Sequence, residues 1–113
     1  MANNMLLQIA KRLQAIREEL HLDQNGMAKW LDVGRTRYVN WEKAENKPAE
    51  ETMVALCDRT GVTLDYIYRG RLDAVPTGLA IRLTAREIGM DPDAPDFVPD
   101  EALAVVAKAS RRP

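Results

Sequence analysis

Residues 24–42 read QNGMAKWLDVGRTRYVNWE, and this stretch decides the fold. Two short helices fit here, joined by a turn at Asp32-Val33-Gly34. Asp23, just before the first, is a cap residue whose side-chain oxygen can take an orphan backbone N–H. Ala28 is small enough for the two helices to cross closely, and Val33 is apolar where the chain must turn back onto a core. Tyr38 and Trp41, three apart, give the second helix an inward face. Arg35, Thr36, Arg37 and Asn40 are left on its outward face, with no carboxylate at that end.

Side chains of these types can read base edges. Arg grips O6 and N7 of guanine, Asn grips N6 and N7 of adenine, and the Thr methyl suits the methyl of thymine. A helix-turn-helix places its second helix in the major groove, with its N-terminal residues against the bases. Asp32, in the turn, is of a type that tolerates a left-handed backbone better than most residues. Gly34 serves as a cap at a cost of only a few tenths of a kcal/mol, and Gly26 costs roughly 1 kcal/mol against Ala within a helix.

Outward from this window the chain reads as helix throughout. Leu6, Ile9, Leu13, Ile16 and Leu20 form one stripe on a first helix, which breaks at His21-Leu22-Asp23. The recognition helix is expected to run from Arg35 to about Lys43. Asn46-Lys47-Pro48 is a loop. A fourth helix spans about Glu50 to Arg59 and stops at Thr60-Gly61; Thr63 caps a fifth, Leu64 to Arg69, ended by Gly70. Beyond Arg71 comes a linker, Ala74-Val75-Pro76, then a sixth helix from Gly78 to Ile88 capped by Thr77. Asp91-Pro92-Asp93-Ala94-Pro95-Asp96 excludes regular structure. A last helix starts near Pro99-Asp100-Glu101 and runs through Lys108, with 110–113 frayed. The expected organisation is an all-α, five-helix DNA-binding domain over 1–70 and a helical C-terminal extension over 71–113.

In four blocks the chain resembles the phage-repressor and Cro-like helix-turn-helix proteins, the XRE family. IAKRLQAIREELHLDQ (9–24) is similar to the first helix and the Gln that opens the second. MAKWLDV (27–33) is similar to the usual Leu-Ala-x-x-Leu-Gly-Val, with Asp32 in place of Gly. RTRYVNWEKAENKP (35–48) resembles the recognition helix, its Trp-Glu end and the Pro-containing loop, with Ala44 at a common Gly position. ALCDRTGVTLDYIYRG (55–70) resembles the closing helices. The resemblance implies a lambda-repressor-like fold and sequence-specific binding of double-stranded DNA, most simply by a homodimeric repressor on an inverted repeat.

It also implies residue roles. Arg35, Thr36, Arg37 and Asn40 fall on the base-reading positions. Gln24 would touch phosphate and brace the recognition helix. Lys43, Asn46 and Lys47 would add phosphate contacts. Arg17 would pair with Glu42, and Leu64, Ile67 and Tyr68 would form a two-fold dimer contact. The alternative role is an antitoxin that represses its own operon, with the Asp/Pro-containing extension as the arm that binds a protein partner. Cyanases carry a similar N-terminal helical domain, but their catalytic part needs a longer region than follows Gly70.

Composition is close to a soluble globular average, and the near-zero net charge does not by itself announce a nucleic-acid binder. The 113 residues are 46% hydrophobic and 29% charged, with 16 Lys and Arg against 17 Asp and Glu. The global balance hides a gradient: residues 1–72 hold eleven basic and ten acidic side chains, 73–113 five and seven. No apolar run approaches the roughly 20 residues of a membrane span, and the N-terminus lacks the pattern of a secretory signal, so a cytoplasmic protein is expected. One Cys and one His supply neither a disulfide nor a zinc site without several carboxylates. Cys57, set among apolar residues, reads as a buried inert thiol. There is no Ser-His-Asp supply beyond His21 and no Gly-rich phosphate loop, so neither an enzyme nor a cofactor is expected.

Overall fold

The stripe beginning at Leu6 forms helix α1 (Asn4–Glu19) in a computed structural model that describes residues 4–110. Ile9, Leu13 and Ile16 are buried along it, together with the small Ala10 and Ala15, while Leu6 and Leu20 are half-buried at the ends. α2 (Gln24–Leu31), α3 (Arg35–Glu42), α4 (Glu50–Thr60) and α5 (Leu64–Arg69) follow as expected, within one residue at their ends. α6 (Thr77–Glu87) and α7 (Asp100–Ser110) complete an all-α chain with no strand among the described residues. The fraying expected over 110–113 lies outside the described residues from Arg111 onward.

α1 is the hub. α3, α5 and α6 pack on it, α2 packs on α3 and α4, and α7 packs on α6. The core runs through all of these: Leu13, Met27, Tyr38, Trp41, Leu56 and Ile67 are almost fully buried. It continues beyond Gly70 without a break, through Leu72, Val75, Ala80 and Leu83. Residues 71–87 are thus fastened to the same core as the first five helices, and of Leu79, Ile81 and Leu83 only Leu83 is fully enclosed.

Local chemistry explains the ends. Thr63 accepts the backbone N–H of Tyr66 at 3.0 Å and so starts α5. Gly70 ends it at φ 73°, sending its N–H to the Tyr66 carbonyl at 2.8 Å. A β-carbon there would lie 2.6 Å from Nη2 of Arg12, whose Nη1 donates to the Ile67 carbonyl at 3.1 Å. α6 departs from expectation. Pro76, not Thr77, holds the cap position, and no side chain caps the helix. The Pro76 carbonyl takes the first helical bond, from Ala80 N–H at 2.8 Å, so Thr77 already lies within the helix.

An ion network fastens the Asp/Pro loop. Glu19 accepts from Arg82 Nε at 2.5 Å and from Arg86 Nε at 2.9 Å. Asp93 accepts from both of these arginines and meets His21 Nε2 at 2.8 Å. Hydrogen bonds from Arg82, Arg86 and His21 hold the Asp93 carboxyl well below the usual carboxylate range. Asp93, though exposed, is therefore tied to α6 and to the end of α1 instead of lying free.

Candidate nucleic-acid interface

Asp23 Oδ1 accepts the Gly26 N–H at 2.7 Å, which starts α2. A β-carbon at Gly26 would sit 3.1 Å from that same oxygen, so a better helix former there would crowd the cap. α2 ends at Asp32, which adopts the expected left-handed conformation with φ 59° and ψ 46°. The Val33 N–H then reaches back to the Ala28 carbonyl at 2.9 Å, satisfying a helix-end acceptor. Val33 packs against the core, and Gly34 presents only its carbonyl, to Tyr38 N–H at 3.0 Å. This geometry aims the first turn of α3 away from the body.

On α3 the inner and outer faces separate as the sequence predicts. Tyr38 and Trp41 are 0% and 2% exposed and pack edge to face, with ring centroids 6.1 Å apart. Arg35, Thr36 and Arg37 are exposed together, whereas Asn40, one turn on, is half-buried. The Arg37 guanidinium lies over the Trp41 ring, 5.4 Å from its centroid. That contact covers the indole and limits where the guanidinium can swing.

The far end of α3 is clamped by Glu42. Its carboxylate accepts from Arg17 Nε at 2.7 Å and Nη2 at 3.2 Å, from Gln24 Nε2 at 3.1 Å, and from the Tyr38 hydroxyl. Arg17 Nη1 also donates to the Leu22 carbonyl at 3.1 Å. One carboxylate thus ties α1, the α1–α2 turn, α2 and α3 together. The paired side chains are 15% and 5% exposed. Burial works against the Arg17 charge, but the Glu42 hydrogen bond and charge outweigh it and raise the Arg17 pKa. Burial and the neighbouring carboxylate push the Tyr38 phenol well above its usual range, so it stays protonated and donates. The part played by Tyr38 went beyond the sequence reading, which gave it only an inward face. Its spacing to Glu42, four residues on one helix, is the signal that points to it.

The remaining expected contacts fall as follows. Gln24 braces α3 through Glu42. Lys43, Asn46 and Lys47 are exposed in the segment after α3. Leu64 is 39% exposed and Tyr68 half-buried, but Ile67 is 0% exposed. Ile67 is therefore withdrawn from the expected dimer contact, because the domain's own core already encloses it. Cys57 is half-buried, and burial pushes its thiol pKa up, which keeps it in the unreactive form. No group of three or more metal-ligating side chains occurs among the described residues, and no helix of theirs is long and apolar enough to cross a membrane.

Ala44, where the family resemblance leads one to expect Gly, sits at φ 59°. That conformation costs an L-residue roughly 1–2 kcal/mol, and glycine forfeits part of the relief through its freer unfolded chain. Ala44→Gly is expected to stabilise the domain by up to about 1 kcal/mol, read as a higher urea midpoint at unchanged slope. A lower midpoint would contradict the strain.

The fold and the clamped, outward-facing α3 define a helix-turn-helix DNA-binding domain. Residues 13–67 match the family model described as helix-turn-helix. Over these residues the chain is similar to the phage-repressor and Cro-like (XRE) family, and the match supports a DNA-binding transcriptional regulator. No curated protein and no solved structure matches the chain at a significant level.

Proposed function

We propose that this regulator is a cytoplasmic repressor that binds an inverted-repeat operator as a homodimer. The observation that carries the reading is the row Arg35, Thr36 and Arg37, exposed on a helix whose other end Glu42 fixes to two neighbouring helices. Those three side chains, with Asn40 behind them, read base edges. Lys43, Asn46, Lys47 and the remaining amide N–H of Gln24 hold phosphates and set the register. Two copies related by a two-fold axis would place their recognition helices about 34 Å apart, one turn of the duplex.

Phosphate contact is tested by Lys47→Ala. It should weaken all duplexes alike and flatten the dependence of log affinity on log salt by about 1. An unchanged salt slope would remove Lys47 from the interface. The dimer surface is assigned to Leu64, which is exposed, and to the part of half-buried Tyr68 that remains accessible. Leu64→Glu should leave helicity intact and shift the chain from dimer to monomer in sedimentation. A persistent dimer would move the contact elsewhere.

A second reading, the self-regulating antitoxin, is favoured by one feature. Val98, Leu103 and Val105 of the extension are 56%, 44% and 42% exposed. Under this reading they form the surface for a protein partner. Co-expression with the product of a neighbouring gene tests it: a stable complex supports the antitoxin, and separate elution supports the stand-alone repressor.

A further inference from the structure

A cleft of 250 Å³ lies between the C-terminal half of α1, the end of α4 and α6. Ile16, Leu20, Val62, Leu79 and Leu83 supply its apolar wall, and Ile16, Val62 and Leu83 are buried. Two of its polar groups are already engaged. Thr60 Oγ1 donates to the Leu56 carbonyl at 2.8 Å and accepts from Val62 N–H at 3.2 Å. Glu19 is neutralised by Arg82 and Arg86.

Arg59, on the rim, is different. Its guanidinium stacks on the Trp30 ring, 3.5 Å from the centroid, and Nη1 donates to the Trp30 carbonyl at 2.5 Å. No carboxylate pairs with it among the described residues. Four of its five N–H donors remain for a ligand. Arg59 belongs to the lining of this apolar slot, and its unpaired guanidinium, seated on Trp30 beside the cleft, is complementary to the head of an amphiphilic anion; the planar fork matches the two oxygens of a carboxylate.

We propose that this cleft binds a short-chain aliphatic carboxylate, its tail among Leu79 and Leu83 and its carboxylate on Arg59. The volume lies just below the usual range of ligand pockets, which limits the ligand to about eight non-hydrogen atoms. Binding draws on the same guanidinium that fastens Trp30, the last residue but one of α2. Occupancy therefore acts on the end of α2 that leads, through Asp32, into α3. A ligand that changes operator affinity by this route must itself bind more or less tightly when DNA is present, by the same factor. This relay rests on the DNA-binding reading; the site itself does not.

The test uses the full chain without DNA, hexanoate as the probe, and hexanol as its uncharged counterpart. Hexanoate should shift the ¹⁵N–¹H signals of Val62, Leu79 and Leu83 and change tryptophan emission, saturably, with a Kd near 1 mM or tighter, on the order expected for a ligand of this size. Hexanol should bind about tenfold more weakly, for want of the charge-assisted hydrogen bonds. Arg59→Met keeps the stem over Trp30 and should bring hexanoate down to the level of hexanol. Leu79→Phe should abolish both. Equal binding of the two probes, a response linear in concentration, or shifts scattered over the surface would each overturn the proposal. If Leu79→Phe does not fold, the location of the shifts in the unaltered chain decides. Because DNA is absent, failure here leaves the DNA-binding reading standing.

Discussion

Glu42→Ala is expected to destabilise the domain by about 3–5 kcal/mol, the largest effect of any single change considered. The substitution leaves three donor groups without their acceptor: the Arg17 guanidinium, the Gln24 amide and the Tyr38 hydroxyl. The Arg17 side chain is only 15% exposed, so water restores little of what is lost. A buried charge deprived of its partner costs far more than the pair contributes in the first place. The double replacement Arg17→Met with Glu42→Met should therefore cost much less than the sum of the two single changes. Urea unfolding followed by tryptophan emission measures all four variants: Glu42→Ala, the two single Met replacements and the double one. A loss under about 1 kcal/mol for Glu42→Ala would mean that Glu42 does not clamp α3.

Arg35→Ala and Arg37→Ala are each expected to weaken operator binding by about 1–3 kcal/mol and to relax the preference at one base pair. Arg35 has no ion pair or ring contact among the described residues, so its removal should leave folding stability within about 0.5 kcal/mol of the original. Arg37 differs, because it covers the Trp41 ring. Arg37→Ala should add a stability loss of about 0.5–1 kcal/mol to the lost specificity. Measuring binding and unfolding on the same variants separates base reading from support of the core. If both variants retain the original sequence preference, base reading belongs to other residues.

Much of the fold was legible because it is written in local patterns. The stripe from Leu6 to Leu20, the cap at Asp23 and the three-residue spacing of Tyr38 and Trp41 each specify an element without reference to the rest of the chain. The stops at Gly61 and Gly70 do the same. The outward row on α3 followed directly, since fixing the inner face of an eight-residue helix fixes the outer one. The pairing of Arg17 with Glu42 came from the family resemblance, since 25 residues separate the partners and no periodicity links them.

What the sequence did not disclose lies in long-range packing. α5 has six residues, too few turns for Leu64, Ile67 and Tyr68 to define which side is inner, and Ile67 proved to be the buried one. The network of Glu19, His21, Arg82, Arg86 and Asp93 joins residues more than 60 positions apart, so from sequence the Asp/Pro loop read only as a segment without regular structure. The stacking of Arg59 on Trp30 crosses 29 positions and gives Trp30 a place that spacing alone could not. At Pro76 and Thr77 the local rule itself misled, because a proline carbonyl can start a helix where no side chain caps it.

The central claim, that α3 reads sequence on behalf of a two-fold dimer, is tested most directly by selecting bound duplexes from a random-sequence pool while salt is raised between rounds. The account predicts a palindromic consensus with half-site centres one helical turn apart, and a guanine position in each half-site that disappears when Arg35 or Arg37 is replaced. A pool that yields no enriched sequence, with binding that vanishes as salt rises, would contradict it and leave only non-specific attraction to the phosphate backbone.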